Sequence, residues 1–144
     1  MDHIIIIVIV IMIKGPGKNA LINNRRKNIE KLVEKTGLYI NLNNFINHRN
    51  KKFNYTIWNQ EKLAGFAILK PENKTLELEL IVTNTGKGFG TQLLNRIKNN
   101  SKNKFNTINL VSLPKAMPFY KRHGFTSKNI HYPSAFTYNL KKHV

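Results

Sequence analysis

The apolar pattern begins with an unbroken run, Ile4–Ile13 (IIIIVIVIMI), that ends at Lys14-Gly15-Pro16-Gly17. A β-branched run of this length, closed by turn residues, predicts a strand buried on both faces. It is about half of the roughly 20 residues that a membrane-spanning helix needs. Only Asp2 and His3 precede it, where a secretory leader would carry basic residues. Ile22, Ile29, Leu32 and Val33 then recur near helical spacing, predicting a helix over Ile22–Lys35 with Gly37 as its stop. Asn41–Asn50 is polar and asparagine-rich, a second short helix or an irregular connector. Phe53–Trp58 and Leu63–Leu69 read as a hairpin turning at Asn59-Gln60-Glu61-Lys62.

A second turn, Pro71-Glu72-Asn73-Lys74, leads into the strand Leu76–Val82 (LELELIV). Gly86, Gly88 and Gly90 then open a helix whose Leu93, Leu94 and Ile97 share one face. Thr107–Val111 predicts a strand. Pro114–His123 predicts a helix that Gly124 stops, with proline tolerated in the first turn. Phe125–Ser127 and Ala135–Leu140 read as closing strands joined by the loop Ser127–Ser134. The order is thus β, α, (α), β, β, β, α, β, α, β, β. It predicts an α/β fold, a mixed, mostly antiparallel central sheet with helices on both faces. No repeat or linker divides the 144 residues, so a single domain over 1–144 is expected.

Charge and composition narrow the function. The 24 Lys+Arg against 7 Asp+Glu leave +17, a field that attracts anions. Lysine and asparagine run high along the whole chain, so the charge by itself names no partner. With no cysteine, disulfide scaffolds, thiol nucleophiles and thiolate metal sites are excluded. This composition fits a reducing, cytoplasmic setting, and the pattern calls for neither a membrane nor a metal.

Two motifs can carry chemistry. Thr85-Gly86-Lys87-Gly88-Phe89-Gly90 lies between a strand and a helix, where unpaired helix amides and the positive end of the helix dipole form a pyrophosphate site. It is neither a Walker loop, since no Gly-Lys-Ser/Thr ends it, nor a dinucleotide fingerprint, since the last glycine spacing is wrong. In the second motif, Ala116-Met117-Pro118-Phe119-Tyr120-Lys121-Arg122-His123-Gly124-Phe125, helical spacing puts Ala116, Phe119 and Tyr120 on one face. His123 reads as a surface residue at the helix end.

In this order, these motifs resemble the GNAT superfamily of N-acetyltransferases. The family's strand, Gln/Arg-x-x-Gly-x-Gly/Ala, helix, strand and Ala-x-x-Phe-Tyr-x-x-x-Gly-Phe have counterparts in LELELIV, TGKGFG, TINLV and AMPFYKRHGF. The chain departs from it at Thr85, where the family has Gln or Arg. It departs again at Leu113, where asparagine is common, and in a shorter connector from Val82 to Gly86. The resemblance implies acetyl-coenzyme A as co-substrate. Main-chain groups near Leu80 and Val82 would pair with its pantetheine arm. The amides of Thr85, Gly86, Lys87, Gly88, Phe89, Gly90 and Thr91 would hold the pyrophosphate, and Tyr120 would protonate the leaving thiolate.

A phenol of pKa near 10 keeps its proton at neutral pH, whereas a departing thiolate has a pKa of about 8.5. An alkylammonium of pKa about 10.4 must instead lose a proton before it can attack. Glu77 and Glu79 are the candidate bases, and strict alternation would set both on one face of their strand, opposite Leu78 and Leu80. The expected activity is transfer of acetyl to a primary amine by direct attack in a ternary complex. Two alternatives compete with it. One is a basic nucleic-acid-binding module built on Arg25, Arg26, Lys27, Lys31, Arg49, Lys51 and Lys52. The other is an inactive relative of the fold. The resemblance implies an acceptor site built by Ile22–Asn50 and the loop Ser127–Ser134, and the scarcity of acidic residues there argues against polyamines. The edge of the Ile4–Ile13 strand leaves a homodimer open.

Overall fold

A computed structural model describes residues 11–17, 26–36, 54–60, 62–84, 86–129 and 131–141. The elements are β1 (Ile11–Lys14), α1 (Arg26–Thr36), β2 (Tyr55–Asn59), β3 (Lys62–Glu72), β4 (Thr75–Thr83), α2 (Phe89–Ser101), β5 (Thr107–Val111), α3 (Met117–Arg122), β6 (Thr126–Asn129) and β7 (Tyr132–Asn139). The expectations for Ile4–Val10, Gly37, Asn41–Asn50 and Thr85 lie outside the described residues, as do those for Arg25, Arg49, Lys51 and Lys52. The strands form one sheet in the order β1-β2-β3-β4-β5-β7-β6. Every neighbouring pair is antiparallel except β4 and β5.

Burial explains the layers. Leu63–Leu69 of β3 is buried without a break, because a central strand covered on both faces has no polar side to offer. On one face Leu32 and Val33 of α1 pack with Trp58, Phe66, Ile68 and Val82. On the other, Phe89, Leu93, Leu94 and Ile97 of α2 pack with Ile57, Leu69, Leu76, Leu78, Ile108 and Phe136. The predicted sandwich of helices on both faces of a mixed sheet is what the chain builds.

The parallel pair is the feature that shapes the site. Its register holds only over Thr75–Glu77 against Thr107–Asn109. From Leu78 to Thr83, β4 is paired with β3 alone, while β5 continues along β7. A wedge-shaped opening therefore begins about midway along β4.

A β-bulge sits at the same place. Ile68 pairs with Leu80 and Leu69 with Leu78, so Glu79 is the extra residue. The bulge corrects the strict alternation expected from LELELIV. Leu76 and Leu78 face α2, but Leu80 and Val82 join the α1 side. Glu77 lies where β4 still has β5 beside it, opposite Lys70 and Asn109, whereas exposed Glu79 stands at the head of the opening.

Two further expectations need correction. Pro114–His123 is not one helix: Pro114–Ala116 forms a 3₁₀ turn and α3 follows it. Pro118 supplies no amide hydrogen inside this stretch, so a continuous ladder is unavailable. Ser127–Ser134 is not a loop, because β6 and β7 form a hairpin there with Asn129 opposite Tyr132. It is an exposed edge, and its polar residues hide the strand pattern.

Candidate functional site

The Gly-rich loop connects the free end of β4 to α2. Gly86 and Gly88 hold φ of 80° and 72°, left-handed values that side chains with a Cβ adopt at a cost of about 1–2 kcal/mol. Gly88 is the N-cap of α2, and no side chain caps the helix. Its carbonyl accepts the first helical bond from the Gln92 amide at 3.1 Å. The Phe89, Gly90 and Thr91 amides are thus left for a ligand, with the positive end of the helix dipole behind them. At Gly90 a Cβ would come within 3.2 Å of the Phe119 ring, so glycine lets α2 and α3 approach here.

These elements enclose a cleft of about 430 Å³. Gly86, Gly88, Phe89, Gly90 and Thr91 line its loop end, Ile81 and Thr83 its β4 wall, and Ala116, Phe119, Tyr120 and Arg122 the side formed by α3 and the turn before it. The two sequence motifs, about 30 residues apart, thus converge on one site. Ala116, Phe119 and Tyr120 present the predicted common face. Arg122 was not foreseen; its signal was a basic residue one position short of a full turn from Phe119 on a helix already singled out.

The β4 wall differs from expectation by one residue. The Asn84 amide donates to the Ala64 carbonyl at 2.8 Å, and Thr83 stands opposite Gly65. Alternation along an antiparallel pair then directs the ladder groups of Val82 and Leu80 into β3. It is Ile81 and Thr83 whose main-chain N–H and C=O face the opening that β5 has left. The bulge at Glu79 sets this phase, which a residue-by-residue transfer of the motif missed.

Tyr120 is buried, with 6% of its surface exposed. Phe119 and Phe125 meet its ring edge-on at 5.3 and 5.6 Å, and Phe136 lies 6.4 Å away. Burial pushes its pKa up to about 12, because the phenolate would lose its hydration. Neither Glu77 nor Glu79 lines the cleft. Lys87 lines a different pocket, beyond the loop, and not this cleft.

His123 departs from the reading of it as a surface residue. It is half-buried, its Nε2 lies 3.1 Å from Thr91 Oγ1, and its ring packs 4.6 Å from that of Phe119. Burial first, then Lys98 and Arg122, lower its pKa, which keeps the imidazole neutral at pH 7. The side chain thereby ties the end of α3 to the first turn of α2.

Lys98 secures the same corner. Its Nζ donates to the His123 carbonyl and lies 4.1 Å from the centre of the Tyr138 ring and 5.6 Å from that of Phe125. Lys98→Met should keep the apolar stem and lose both the charged hydrogen bond and the cation–π contact, lowering stability by about 1–2 kcal/mol. The check is the urea midpoint. An unchanged midpoint would mean that packing of the stem alone holds the corner.

Among the described residues, no group of three or more His, Cys, Asp or Glu could hold a metal ion. No helix among them is long and apolar enough to cross a membrane.

Residues 23–132 match the family model of the acetyltransferase (GNAT) domain. No curated protein matches the chain by sequence. Among solved structures, a GNAT-family protein of Desulfovibrio desulfuricans superposes with a TM-score of 0.70 at 14% identity, covering 92% of this chain and 99% of its own. The PaiA N-acetyltransferase of Thermoplasma acidophilum, solved with coenzyme A, gives 0.66 at 16% identity over 90% and 99% of the two chains. The ribosomal-protein-S18-alanine N-acetyltransferase of Escherichia coli gives 0.67 at 16% identity over 89% and 91%.

Proposed function

Because the chain belongs to the GNAT acetyltransferase family, we propose that it is one N-acetyltransferase domain that moves acetyl from acetyl-coenzyme A to a primary amine. The observation that carries this reading is the opening beside β4. It runs from helix amides at Gly88 that no side chain caps, past the main-chain groups of Ile81 and Thr83 that face away from β3, to Tyr120. A diphosphate fits the first, an amide-bearing arm the second and a thioester the third. Bound acetyl-coenzyme A supplies the activated acyl group.

The residues divide the work. The Phe89, Gly90 and Thr91 amides neutralise phosphate charge, helped by Arg122 at the rim of the cleft. Ile81 and Thr83 extend the sheet with the pantetheine arm as a surrogate strand, which fixes the thioester along β4. Tyr120 donates its proton to sulfur as the C–S bond breaks and the new C–N bond forms. Glu79, at the head of the opening, receives the proton lost by the amine. Glu77 lies in the segment still paired with β5 and is the weaker candidate. No protein nucleophile intervenes, so the amine attacks directly in a ternary complex.

A pH profile tests this division. With Tyr120 held up to about 12, the acid keeps its proton across the working range. The second-order rate constant should rise between about pH 6 and 9 as the amine deprotonates, with no falling limb below about pH 11. A falling limb near pH 9 would assign the acid to another group. The binding step is tested by titrating acetyl-coenzyme A calorimetrically at physiological salt, with coenzyme A and ATP as controls. Micromolar binding that rejects ATP is expected. Equal binding of all three would reduce the site to general anion attraction.

A further inference from the structure

Thr91 belongs to two neighbourhoods at once. It lines the cleft from the first turn of α2, and its Oγ1 lies 3.1 Å from Nε2 of His123, the C-cap of α3. A threonine hydroxyl has one hydrogen to donate and lone pairs that accept. If Nε2 accepts, that hydrogen is held by the imidazole and does not reach a ligand. If Nε2 donates, the hydrogen is free for a phosphate oxygen. A neutral imidazole does either, according to its tautomer, but an imidazolium has only donors. Protonation of His123 therefore fixes the direction of the bond and releases the Thr91 hydrogen to the cleft.

The charges around the ring tie that protonation to the ligand. Burial, then Lys98 of α2 and Arg122 of α3, disfavour the imidazolium. The other titratable groups at this corner are Tyr120 and Tyr138, the latter packed on Gly124, and both phenols are held protonated by burial. No described carboxylate bears on the ring. A diphosphate at the first turn of α2 supplies the missing negative charge and reverses the balance.

We infer that His123 is a positioning residue for the coenzyme: as an imidazolium it turns the Thr91 hydroxyl toward the diphosphate, so that coenzyme binding takes up a proton there. The inference rests on the coenzyme site proposed above and deepens it. A group that gains basicity on binding tightens the complex as pH falls, so affinity rises on the acid side of neutrality. The rate at saturating coenzyme is left alone, because His123 touches neither sulfur nor the amine.

The test is calorimetric titration of coenzyme A into the full chain at physiological salt, at about pH 8 and about pH 6, in the parent, His123→Gln and His123→Leu. Glutamine keeps an N–H donor for Thr91 but does not titrate, whereas leucine keeps an apolar surface for Phe119 and has no polar atom. The coenzyme's own phosphate monoester titrates near pH 6 in all three, so the differences between them are what is read. From about pH 8 to about pH 6 the parent should gain about threefold to tenfold in affinity relative to His123→Gln. Titrations in two buffers of unlike ionisation enthalpy should show the extra proton uptake in the parent. At the lower pH His123→Leu should bind about threefold or more weakly than His123→Gln. In a Thr91→Val background, where no hydroxyl remains to be turned, the two should bind alike. A shared pH dependence for parent and His123→Gln, or leucine equal to glutamine, would overturn this inference and leave the coenzyme site standing. No binding of coenzyme A by the parent would overturn both.

Discussion

Tyr120→Phe is expected to cut turnover by on the order of a hundredfold or more, the usual scale of a positioned general acid, while coenzyme affinity moves by less than about twofold. The substitution is clean because phenylalanine preserves the ring that Phe119, Phe125 and Phe136 surround. No described residue hydrogen-bonds the hydroxyl, so its removal orphans no partner. Burial that pushes the pKa up to about 12 makes the phenol a poor acid in its ground state. The same burial raises the basicity of a thiolate leaving beside it, so the proton is shared with sulfur only as charge builds up there, an interaction made in the transition state and not before it. Loss of such an interaction lowers kcat and leaves the coenzyme dissociation constant in place. Equal turnover of parent and variant from about pH 6 to 9 would show that the thiolate leaves unaided.

The same residue illustrates what the sequence makes readable. Local pattern is strongest where one element carries its own punctuation. Thr107–Val111 is found at its predicted limits because five residues alternate between core and cover. Gly88 and Tyr120 could be placed in a common site because the order of their two motifs resembles that of the GNAT family. What stayed hidden depends on pairings between distant segments. The bulge at Glu79 exists because β3 and β4 slip by one residue between Leu69 and Ile68, and nothing in LELELIV announces a slip. That one residue moves Leu80 and Val82 to the α1 side and hands the cleft wall to Ile81 and Thr83. The β6–β7 hairpin was hidden for the opposite reason. Edge strand β6 and the start of β7 that pairs with it are exposed, so Thr126, Ser127, Tyr132 and Pro133 show no apolar alternation to read. His123 likewise looked like a helix-end residue until the fold brought Thr91 to it from a separate helix.

Gly88→Asp should abolish coenzyme binding, and comparison with Gly88→Asn says why. Both residues tolerate left-handed backbone better than other side chains, and the space around a Cβ at Gly88 is open to at least 4 Å. Their strain and shape are therefore nearly equal, and only the charge differs. In the parent the helix has no cap of its own. Its free amides are suited to an outside anion, and an aspartate places a resident carboxylate among them. Like charges about 5 Å apart repel by about 3 kcal/mol at an effective dielectric constant near 20, which exceeds a hundredfold in affinity. Asparagine adds no such repulsion and should weaken binding by only a few-fold. A wide gap between the two variants makes the loop an electrostatic cradle for the diphosphate. Equal, severe losses would mean that the coenzyme needs the bare backbone of glycine and that steric approach dominates. Parent-like affinity in Gly88→Asp would remove the loop from the coenzyme site, leaving Ile81, Thr83 and Tyr120 to define a cleft for a ligand without phosphate.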